Sequence, residues 1–475
     1  MAAPSLVFNA LLERATDGTL LEGNDLAILV DAAENYPAWL AAIRSARRTI
    51  HLEIYIVHND RIGRTFRDAL VERARAGVTV RVLYDWFGAL RPSSFRFWAP
   101  LRAAGGEVRV ANPPRLEAIA GLLSRDHRKL LSIDGRVAFI SGLCIGDDWV
   151  GDPARHRPPW RDTGVRVEGP AVAEAERAFA AAWEEWGPKI QDGAVPAGPD
   201  IPRAGGMTVG IVATVPERSS MYRLELSMIA VAQRRIWLTD AYFMGTSTFV
   251  EALVAAAAHG VDVRLLLPSN SDVGWVGNAS RVLYRRLLEA GVRIFEWNGP
   301  MIHAKTAVAD GRFVRVGSTN LNLSSWLGNW ELDVVVDDAA VGARMEAIYE
   351  TDLENATEVV ITERHRVRLQ GDLSSRVRRR RRGRRRLSRA VGGSANRVLR
   401  DVAMAGSMVG SAVRGYRELG PYEAGALLFF AALSMILAIS VLTWPSLIAW
   451  PVAVLSALLC LSLLARAWRV RRGQR

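Results

Sequence analysis

His303 and Lys305 are the residues whose types and spacing best suit chemistry on a phosphate. Side chains alternate between the two faces of a β-strand, so an imidazole and an ammonium two residues apart point to the same side. Asp310 and the glycine after it predict a turn, and a second apolar strand then leads to the small polar residues Ser318 and Asn320. Together these groups supply the positive charge and the hydrogen-bond donors that a phosphate needs.

The same pattern occurs a second time, nearer the N-terminus. His127, Lys129 and Asp134 repeat the spacing H-x-K-x4-D-G, and Ser141 and Gly142 stand in the turn that follows. A lone H-x-K would mean little, but the chain has only 7 histidines and two of them lie in this pattern. Two such copies are hard to produce by chance, so they predict one duplicated phosphate site.

The two motifs resemble the signature of the phospholipase D superfamily, H-x-K-x4-D-x6-G-S-x-N. The copy at His303 matches it throughout, whereas the copy at His127 has Ser141-Gly142 in inverted order and Cys144 in place of asparagine. Within the superfamily, residues 24–360 are similar to bacterial cardiolipin synthases through IHLEIYI, HRKLLSIDGRVAFISG, WRDTGVRVEGPAV and HAKTAVADGRFVRVGSTNLN. Two features depart from that family: Ser324 stands where arginine is usual, and the membrane segments are C-terminal.

The resemblance implies phosphatidyl transfer, without metal or cofactor, at a site shared by the two motifs. One neutral histidine attacks phosphorus and forms a phosphohistidine, while the other protonates the leaving alcohol and then deprotonates the incoming one. The family pattern makes His127 the nucleophile, although nothing in the sequence itself separates it from His303. In the family reaction two phosphatidylglycerols yield cardiolipin and glycerol. The groups expected to hold the substrate phosphate are Lys129, Lys305, Ser141, Gly142, Ser318 and Asn320.

Four acidic residues are candidates for supporting roles. A reactive histidine needs an acceptor on its far ring nitrogen, and the resemblance gives that role to Glu331, 28 residues after His303. Asp162, in the sequence WRDT, is the expected counterpart in the first motif's half. Asp134 and Asp310 complete the catalytic motifs, but their strand parity directs them away from the histidines, so we interpret them as structural. A surface or helix-capping role is the alternative for Glu331 and Asp162.

Alternating strand and helix patterns predict an α/β fold, with two repeated α/β/α units around the shared site. A strand–helix–strand pattern over residues 49–84 recurs over residues 235–267, with the helix and second strand at an offset of 183. The motifs themselves repeat at an offset of 176. We therefore predict a first unit at residues 1–200 and a second at residues 201–362. Residues 1–45 are expected to be helical.

The composition changes after residue 362. Arg376–Arg389 contains ten arginines, so residues 363–420 are expected to be a solvated linker with a weakly amphipathic helix. Within residues 421–475, Ala424–Trp444 and Leu447–Ala465 contain no charged residue, and each is long enough to cross a bilayer. They predict a transmembrane helical hairpin.

Arginines flank this hairpin on both sides, whereas the turn inside it carries no charge. The positive-inside rule then places both ends, and the catalytic part with them, on the cytoplasmic side of a bacterial inner membrane. The Arg376–Arg389 run is expected to bind an anionic membrane surface, where each arginine contributes about 1 kcal/mol. A solvated run without a specific partner is the alternative.

The net charge of the tail differs from that of the catalytic part. The whole chain carries +12; residues 363–475, with 22 arginines and 5 acidic residues, carry +17, which leaves −5 for residues 1–362. A negative catalytic part disfavours nucleic acid as a partner. Phosphatidylglycerol is the substrate that the resemblance implies. Three alternatives stay open: a phospholipase D-type hydrolase, a membrane-bound nuclease, and a non-catalytic membrane scaffold with a decayed first motif.

Overall fold

Sixteen strands form one sheet in the part of the chain that the structure describes. The computed structural model describes residues 14–15, 20–89, 95–113, 124–190, 200–216, 218–273, 276–361 and the backbone of 367–369. The strands, numbered β1 to β16 in chain order, are Leu20–Val30, Thr49–Ile54, Thr79–Asp85, Glu107–Ala111, Lys129–Ile133, Val137–Ser141, Thr163–Glu168, Met207–Thr214, Arg235–Thr239, Asp262–Pro268, Arg293–Trp297, Thr306–Ala309, Phe313–Gly317, Glu331–Asp337, Ala356–Ile361 and Val367–Leu369.

Helices accompany the strands, which makes the fold mixed α/β. Their apolar spacing follows the helical period: the helix Arg61–Arg75 buries Ile62, Phe66 and Leu70 and is capped by Asp60. The α-helices of the described residues, α1 to α10 in chain order, are Asp31–Ser45, Arg61–Arg75, Trp86–Ala89, Ala99–Ala103, Asp147–Val150, Val172–Glu185, Ser220–Val231, Ser247–Ala258, Val276–Glu289 and Ala339–Glu354. Three short elements complete the described part: 3-10 turns at Phe95–Trp98 and Pro153–Arg155, and a π-helical turn at Ser324–Gly328.

The strand order is the same in both directions from the centre of the sheet. One direction reads β1-β7-β6-β5-β2-β3-β4 and the other β8-β14-β13-β12-β9-β10-β11, with β15 and β16 added at the second edge. The two central strands, β1 and β8, pair antiparallel. Residues 20–190, the first half, are thus related to residues 200–361, the second half, by an approximate twofold axis through the sheet centre.

Three hydrophobic cores lie against the sheet. One combines both halves and holds Phe179 of α6 together with Val334 of β14 and Met345 of α10. The other two are separate: one contains Trp39 and Phe66 of the first half, together with other residues of that half. The other lies around Phe249, Leu253 and Trp326 of the second half. The shared core holds the two halves together, and the separate cores cover the other face of each half.

Each motif lies on a hairpin, as its spacing predicts. β5 pairs antiparallel with β6, and β12 with β13. At the turns Asp134 and Asp310 have φ of 55° and 52°, a left-handed conformation that aspartate tolerates better than most residues. The histidines precede the first strand of each hairpin, at the end opposite to these turns.

The two motif aspartates, Asp134 and Asp310, accept hydrogen bonds from backbone N–H groups. The donor residues of the two halves are equivalent at an offset of 186. The carboxylate of Asp134 accepts from the segment that enters β2, and that of Asp310 from the segment that enters β9. The donors are the N–H groups of Arg47 (2.9 Å), Arg48 (2.7 Å) and Thr49 (2.9 Å) in the first half and of Gln233 (2.9 Å), Arg234 (2.8 Å) and Arg235 (3.0 Å) in the second. Each aspartate therefore fixes the start of a neighbouring strand.

The expected helix over residues 1–45 is wrong for part of its length. Residues Leu20–Val30 form β1, the central strand, between β7 and β8, and the helix begins only at Asp31. A short apolar run such as Leu26–Val30 fits a buried strand as well as a helix. Here the run forms a strand because it pairs with β7 and β1 as a whole pairs with β8.

The predictions for the C-terminal region fall mostly outside the described residues. Val367–Leu369, beyond the expected boundary at residue 362, form β16 and pair with β15. The Arg376–Arg389 run and the hairpin of residues 421–475 lie outside the described part. Within that part, none of the helices combines the length and apolarity that crossing a bilayer requires.

Candidate active site

The two motif histidines are held by backbone contacts between the halves. The N–H of His127 donates to the carbonyl of Trp330 at 2.9 Å, and the N–H of His303 donates to the carbonyl of Arg161 at 2.7 Å. Trp330 precedes Glu331 and Arg161 precedes Asp162 in the chain. Each histidine is therefore anchored beside the carboxylate that belongs to the other half.

The side chains are paired across the halves in the same way. Nδ1–H of His127 donates to Glu331 at 2.9 Å, and Nδ1–H of His303 donates to Asp162 at 2.8 Å. All four residues are buried, with the histidines only 8% and 5% exposed. A carboxylate on Nδ1 fixes the tautomer that carries its lone pair on Nε2, so Nε2 is the nitrogen that faces chemistry. The structure thus brings the two predicted orienting residues and both histidines together.

Glu331 and Asp162 are held by different partners. Glu331 accepts hydrogen bonds from Ser318 Oγ at 2.6 Å and from Asn329 Nδ2 at 3.1 Å. Asp162 accepts from the indole N–H of Trp149 at 3.0 Å and from the backbone N–H of Thr163 at 2.8 Å. Both carboxylates are therefore fixed before any substrate binds.

The small residues of the two motif turns lie against these carboxylates. Ser318 was expected to bind phosphate, but its hydroxyl donates to Glu331 and accepts from the N–H of Leu332 at 2.9 Å. The equivalent residue in the first half is Gly142, where an added Cβ would lie 2.3 Å from Asp162 Oδ1. Ser141 Oγ accepts from the N–H of Leu143 at 3.2 Å. Ser318 and Gly142 thus lie against the carboxylates that orient the histidines, and Ser141 bonds to the adjacent backbone.

Both motif lysines are buried beside their own histidines. Lys129 and Lys305 donate to the backbone carbonyls of His127 and His303. The ammonium of Lys129 lies 5.2 Å from the ring of Tyr55, and that of Lys305 lies 5.8 Å from the ring of Tyr242. The two ammonium groups, beside the two imidazoles, are the positive charges available to the oxygens of an anionic phosphodiester.

Asn320 and Cys144 occupy equivalent places after the two motif turns. Asn320 is 4% exposed, and its Oδ1 has no hydrogen-bond partner among the described residues. Cys144 is buried, and burial raises the pKa of its thiol despite the nearby charge of Lys129. The thiol is therefore neutral at ordinary pH, and of the two positions only Asn320 offers a strong hydrogen-bonding group to a ligand.

Burial and neighbouring charges set the protonation states. Burial lowers the pKa of His127 to about 4, although Glu331 opposes this, and burial together with Lys305 lowers that of His303 to about 4. Burial raises the pKa of Glu331, but His127 and Lys129 outweigh it and bring the value to about 2. Burial likewise lowers the pKa of Lys305 to about 8. Against the raising effect of burial, the charge of His303 also lowers the pKa of Asp162. Without substrate the site therefore holds two neutral imidazoles, two carboxylates and two ammonium groups.

Aromatic side chains that the sequence did not single out surround the histidines. Tyr55 lies edge-on to His127 with 4.9 Å between ring centroids. Trp149, Trp160 and Tyr242 lie 5.7 Å, 5.8 Å and 5.8 Å from His303. Trp160 stands two residues before Asp162 in the sequence WRDT, and this was the one indication in the sequence that an aromatic ring lies at the site. These rings limit the space for water beside the imidazoles.

Buried charged groups behind the site position the loop after β13. Arg315 donates to Asp333 at 2.9 Å, and Asp240 accepts from the N–H of Leu321 at 2.9 Å. Arg128, inside the first motif, donates to the backbone carbonyl of Glu331 at 3.1 Å. Sequence spacing offered no signal for these contacts because they join segments that are far apart in the chain.

Comparison with known proteins identifies a related fold and a matching family model. The solved structure of phosphatidylserine synthase from Haemophilus influenzae Rd KW20 is similar to this chain with a TM-score of 0.59 and 13% identity, over 80% of this chain and 97% of the other. At this identity the similarity concerns the fold alone. A family model described as "Cardiolipin synthase, PLD-like domain" matches residues 39–147 and 226–353, which contain both motif hairpins between them.

Two curated relatives show to which family of phospholipase D-like proteins the chain belongs. A cardiolipin synthase of Alkalihalophilus pseudofirmus is 33% identical over 71% of this chain and 67% of its own length. A cardiolipin synthase of Geobacillus kaustophilus is 36% identical over 65% of this chain and 62% of its own length. The chain belongs to the cardiolipin synthase family of phospholipase D-like proteins.

Proposed function

We propose that the protein makes cardiolipin by moving a phosphatidyl group from one phosphatidylglycerol to another, with release of glycerol. Its family makes it a phosphatidyltransferase. The observation that carries the reaction proposal is the crossed pairing of His127 with Glu331 and of His303 with Asp162. Two imidazoles with fixed tautomers can serve one phosphorus atom, one as nucleophile and one as acid and base.

In the first step His127 is the nucleophile. Its Nε2 lone pair attacks the phosphorus of the first phosphatidylglycerol and forms a P–N bond. The bond between phosphorus and the glycerol oxygen breaks, and Nε2–H of His303 gives its proton to that oxygen. Glycerol leaves, and the phosphatidyl group remains on His127 as a phosphohistidine.

The second step reverses the first with a new alcohol. A glycerol hydroxyl of the second phosphatidylglycerol gives its proton to Nε2 of His303, and its oxygen attacks the phosphorus. The P–N bond breaks, cardiolipin forms, and both histidines return to their initial states. No atom beyond the two lipids is consumed.

The charges of the site support this assignment of roles. His303 has a pKa of about 4 in the empty site, so it must gain its proton when the substrate binds. An anionic phosphodiester beside the ring favours the imidazolium form, since an opposite charge within a few ångströms raises the pKa of histidine. Lys129 and Lys305 then balance the charge on the phosphate oxygens, and Asn320 adds a hydrogen bond.

Hydrolysis is the competing outcome, because water can attack the same phosphohistidine. The rings of Tyr55, Trp149, Trp160 and Tyr242 around the histidines favour the transferase, since a site shielded from water protects the intermediate. The accepting alcohol then has to arrive as a lipid.

We further propose that two units, residues 1–200 and 201–362, share this site. Residues 421–475 then anchor the protein as a transmembrane hairpin, and the catalytic part lies in the cytoplasm. The support is the sequence: two apolar spans, flanking arginines and the Arg376–Arg389 run beside an anionic leaflet. Deletion of residues 421–475 tests it. The shortened protein should leave membranes in part, and high salt should release the rest.

Product analysis with purified protein and phosphatidylglycerol vesicles tests the reaction. We expect cardiolipin and glycerol in equal amounts, with phosphatidic acid a minor product and with turnover kept within about twofold in EDTA. His127→Ala and His303→Ala should each lower turnover at least about a hundredfold. His259→Ala, on the exposed end of α8, is the matched control and should behave like the parent. Phosphatidic acid as the main product would establish the hydrolase instead.

Mass spectrometry of the quenched enzyme distinguishes the two histidines. In the His303→Ala protein both steps are slowed, and any phosphatidyl group that forms should be found on His127, where it persists because the general base for the second step is absent. Accumulation on His303 in the His127→Ala protein would reverse the roles.

A further inference from the structure

Three large hydrophobic side chains are exposed in the described part of the chain, and each stands close in sequence to residues of the site. Val150 is 36% exposed, Leu323 41% and Leu327 43%. Val150 ends α5, which follows the first motif hairpin, and Leu323 and Leu327 lie at the π-helical turn Ser324–Gly328, which follows the second. An isolated exposed leucine is ordinary, but the restriction of all three to these two segments calls for a reason.

The two segments are equivalent in the two halves. α5 begins at residue 147, and the motif offset of 176 maps it onto residue 323, one residue before the π-helical turn Ser324–Gly328. An approximate twofold axis that brings His127 and His303 to one site therefore brings these segments to the same side of it. We name their exposed residues the rim: Val150, Leu323 and Leu327.

Each segment is anchored so that its exposed residues stay exposed. Trp149, next to Val150, is buried and donates to Asp162 at 3.0 Å. Trp326, next to Leu327, is fully buried and donates to Glu225 at 2.9 Å. The anchors occupy the inner side of each segment, so the rim side chains face outward without loss of local structure.

We propose that the rim contacts the acyl region of a phospholipid bilayer and places the site mouth on its surface. This rests on the proposed function. A phosphodiester headgroup can reach the histidines, which are 8% and 5% exposed, but the described site is closed by packed aromatic rings and leaves its acyl chains outside. Apolar side chains at the mouth are what those chains would meet, and they bind a bilayer by removing apolar surface from water.

A fluorescent probe on the rim tests the contact in the full chain. The parent is Cys460→Ser, whose remaining Cys144 is buried and should stay unlabelled. Leu327→Cys carries an environment-sensitive fluorophore, and Arg136→Cys, exposed on the turn at the far end of β5 from His127, is the matched control. With phosphatidylglycerol vesicles that contain nitroxide-labelled acyl chains, we expect at least about twofold quenching at residue 327 and little at residue 136.

Two results would contradict the proposal that the rim contacts the bilayer. Equal quenching at both positions would mean that no face is selected. A probe at residue 327 that is already shielded from water before lipid is added, and that lipid does not quench, would mean that the chain itself or a second copy covers the rim.

Kinetics separate this proposal from the proposed function. The double variant Leu323→Gln/Leu327→Gln should lose about tenfold in turnover of phosphatidylglycerol in vesicles. With a short-chain phosphatidylglycerol dissolved as monomers it should stay within about twofold of the parent. Equal losses on both substrates would assign the leucines to folding and contradict the rim. If the parent turned over neither substrate, the proposed function would be wrong. The quenching experiment would still show whether the rim contacts the bilayer.

Discussion

The two halves of the site perform the same task with different side chains. In one, the carboxylate on the histidine is Glu331, held by the hydroxyl of Ser318 and the amide of Asn329. In the other it is Asp162, held by the indole of Trp149 and a backbone N–H. Gly142 leaves the space that the carboxylate of Asp162 occupies. The duplication thus preserves the geometry of the imidazoles and leaves the supporting contacts free to diverge.

This divergence explains the irregular first motif. The superfamily pattern has Gly-Ser after the strand, and the first half has Ser141-Gly142. A serine at position 142 would place its Cβ against Asp162, whereas Ser318 bonds to Glu331. The inverted order therefore follows from the choice of aspartate and does not indicate decay of the site.

The largest expected effect comes from removing the charge of the two carboxylates. Glu331→Gln and Asp162→Asn keep the shape of each side chain but allow the amide to present a donor to the histidine and select the wrong tautomer. We expect losses of about 10²- to 10⁴-fold in kcat from each, the scale at which acid–base catalysis and a fixed histidine tautomer contribute. The measurement is turnover of phosphatidylglycerol.

The crossed pairing adds a sharper outcome. In single-turnover experiments Glu331→Gln should slow formation of the covalent intermediate on His127, because its orienting partner is lost. Asp162→Asn should slow both glycerol release and the second transfer, since His303 serves in each. The opposite assignment of these effects would mean that the pairing seen in the structure does not match the catalytic roles.

Substitutions at the motif turns should have intermediate effects of different origin. Gly142→Ala forces a Cβ to within 2.3 Å of Asp162 Oδ1, so Asp162 must move away from its position on His303. Ser318→Ala only removes one of the donors to Glu331. We expect about a 100-fold loss of kcat for the first and about tenfold for the second, the latter matching a hydrogen bond to a charged group. Similar losses from both would remove the proposed difference between the halves.

The pH dependence should report the buried lysine of the second half. Lys305 has a pKa of about 8, so its positive charge is present below that value and is lost as pH rises through it. We therefore expect kcat/KM to fall above about pH 8, and to fall again below about pH 4, where His127 becomes protonated. Lys305→Arg keeps its charge to higher pH and should remove the alkaline fall, even if its maximum is lower. An unchanged alkaline limb would assign that pKa to another group.

The sequence was sufficient for the features that local rules determine. Strand parity predicted that His303 and Lys305 act together, and both lie directly before β12 with their side chains in contact. The Asp310-Gly311 pair marked the turn between β12 and β13. The duplication was visible because both motifs, and the strand–helix–strand segments that precede them, repeat their spacing. These features depend on residues close together in the chain, where alternation and turn chemistry act.

The contacts between halves could not be derived in the same way. His127 and Glu331 are 204 residues apart, and His303 and Asp162 are 141 apart, so no spacing rule connects them. The strand Leu20–Val30 was missed because its identity depends on pairing with β7 and β8. Trp149 gave no signal, since a tryptophan in a short helix is most often a core residue.

The smallest effect on catalysis is expected at the two motif aspartates, which lie at the far ends of the hairpins. Asp134→Ala removes a carboxylate that accepts from Arg47, Arg48 and Thr49, and Asp310→Ala removes the equivalent contacts in the second half. Each should lower the free energy of unfolding by about 1–3 kcal/mol, because backbone N–H groups lose their acceptor at the start of a strand. Turnover per folded molecule should stay within about twofold, since neither side chain contacts a histidine. Denaturant unfolding and active-site titration of the same samples separate the two quantities. A large loss of kcat at unchanged stability would return these aspartates to the catalytic group, and a loss from only one would show that the halves differ in their scaffold as well as in their site.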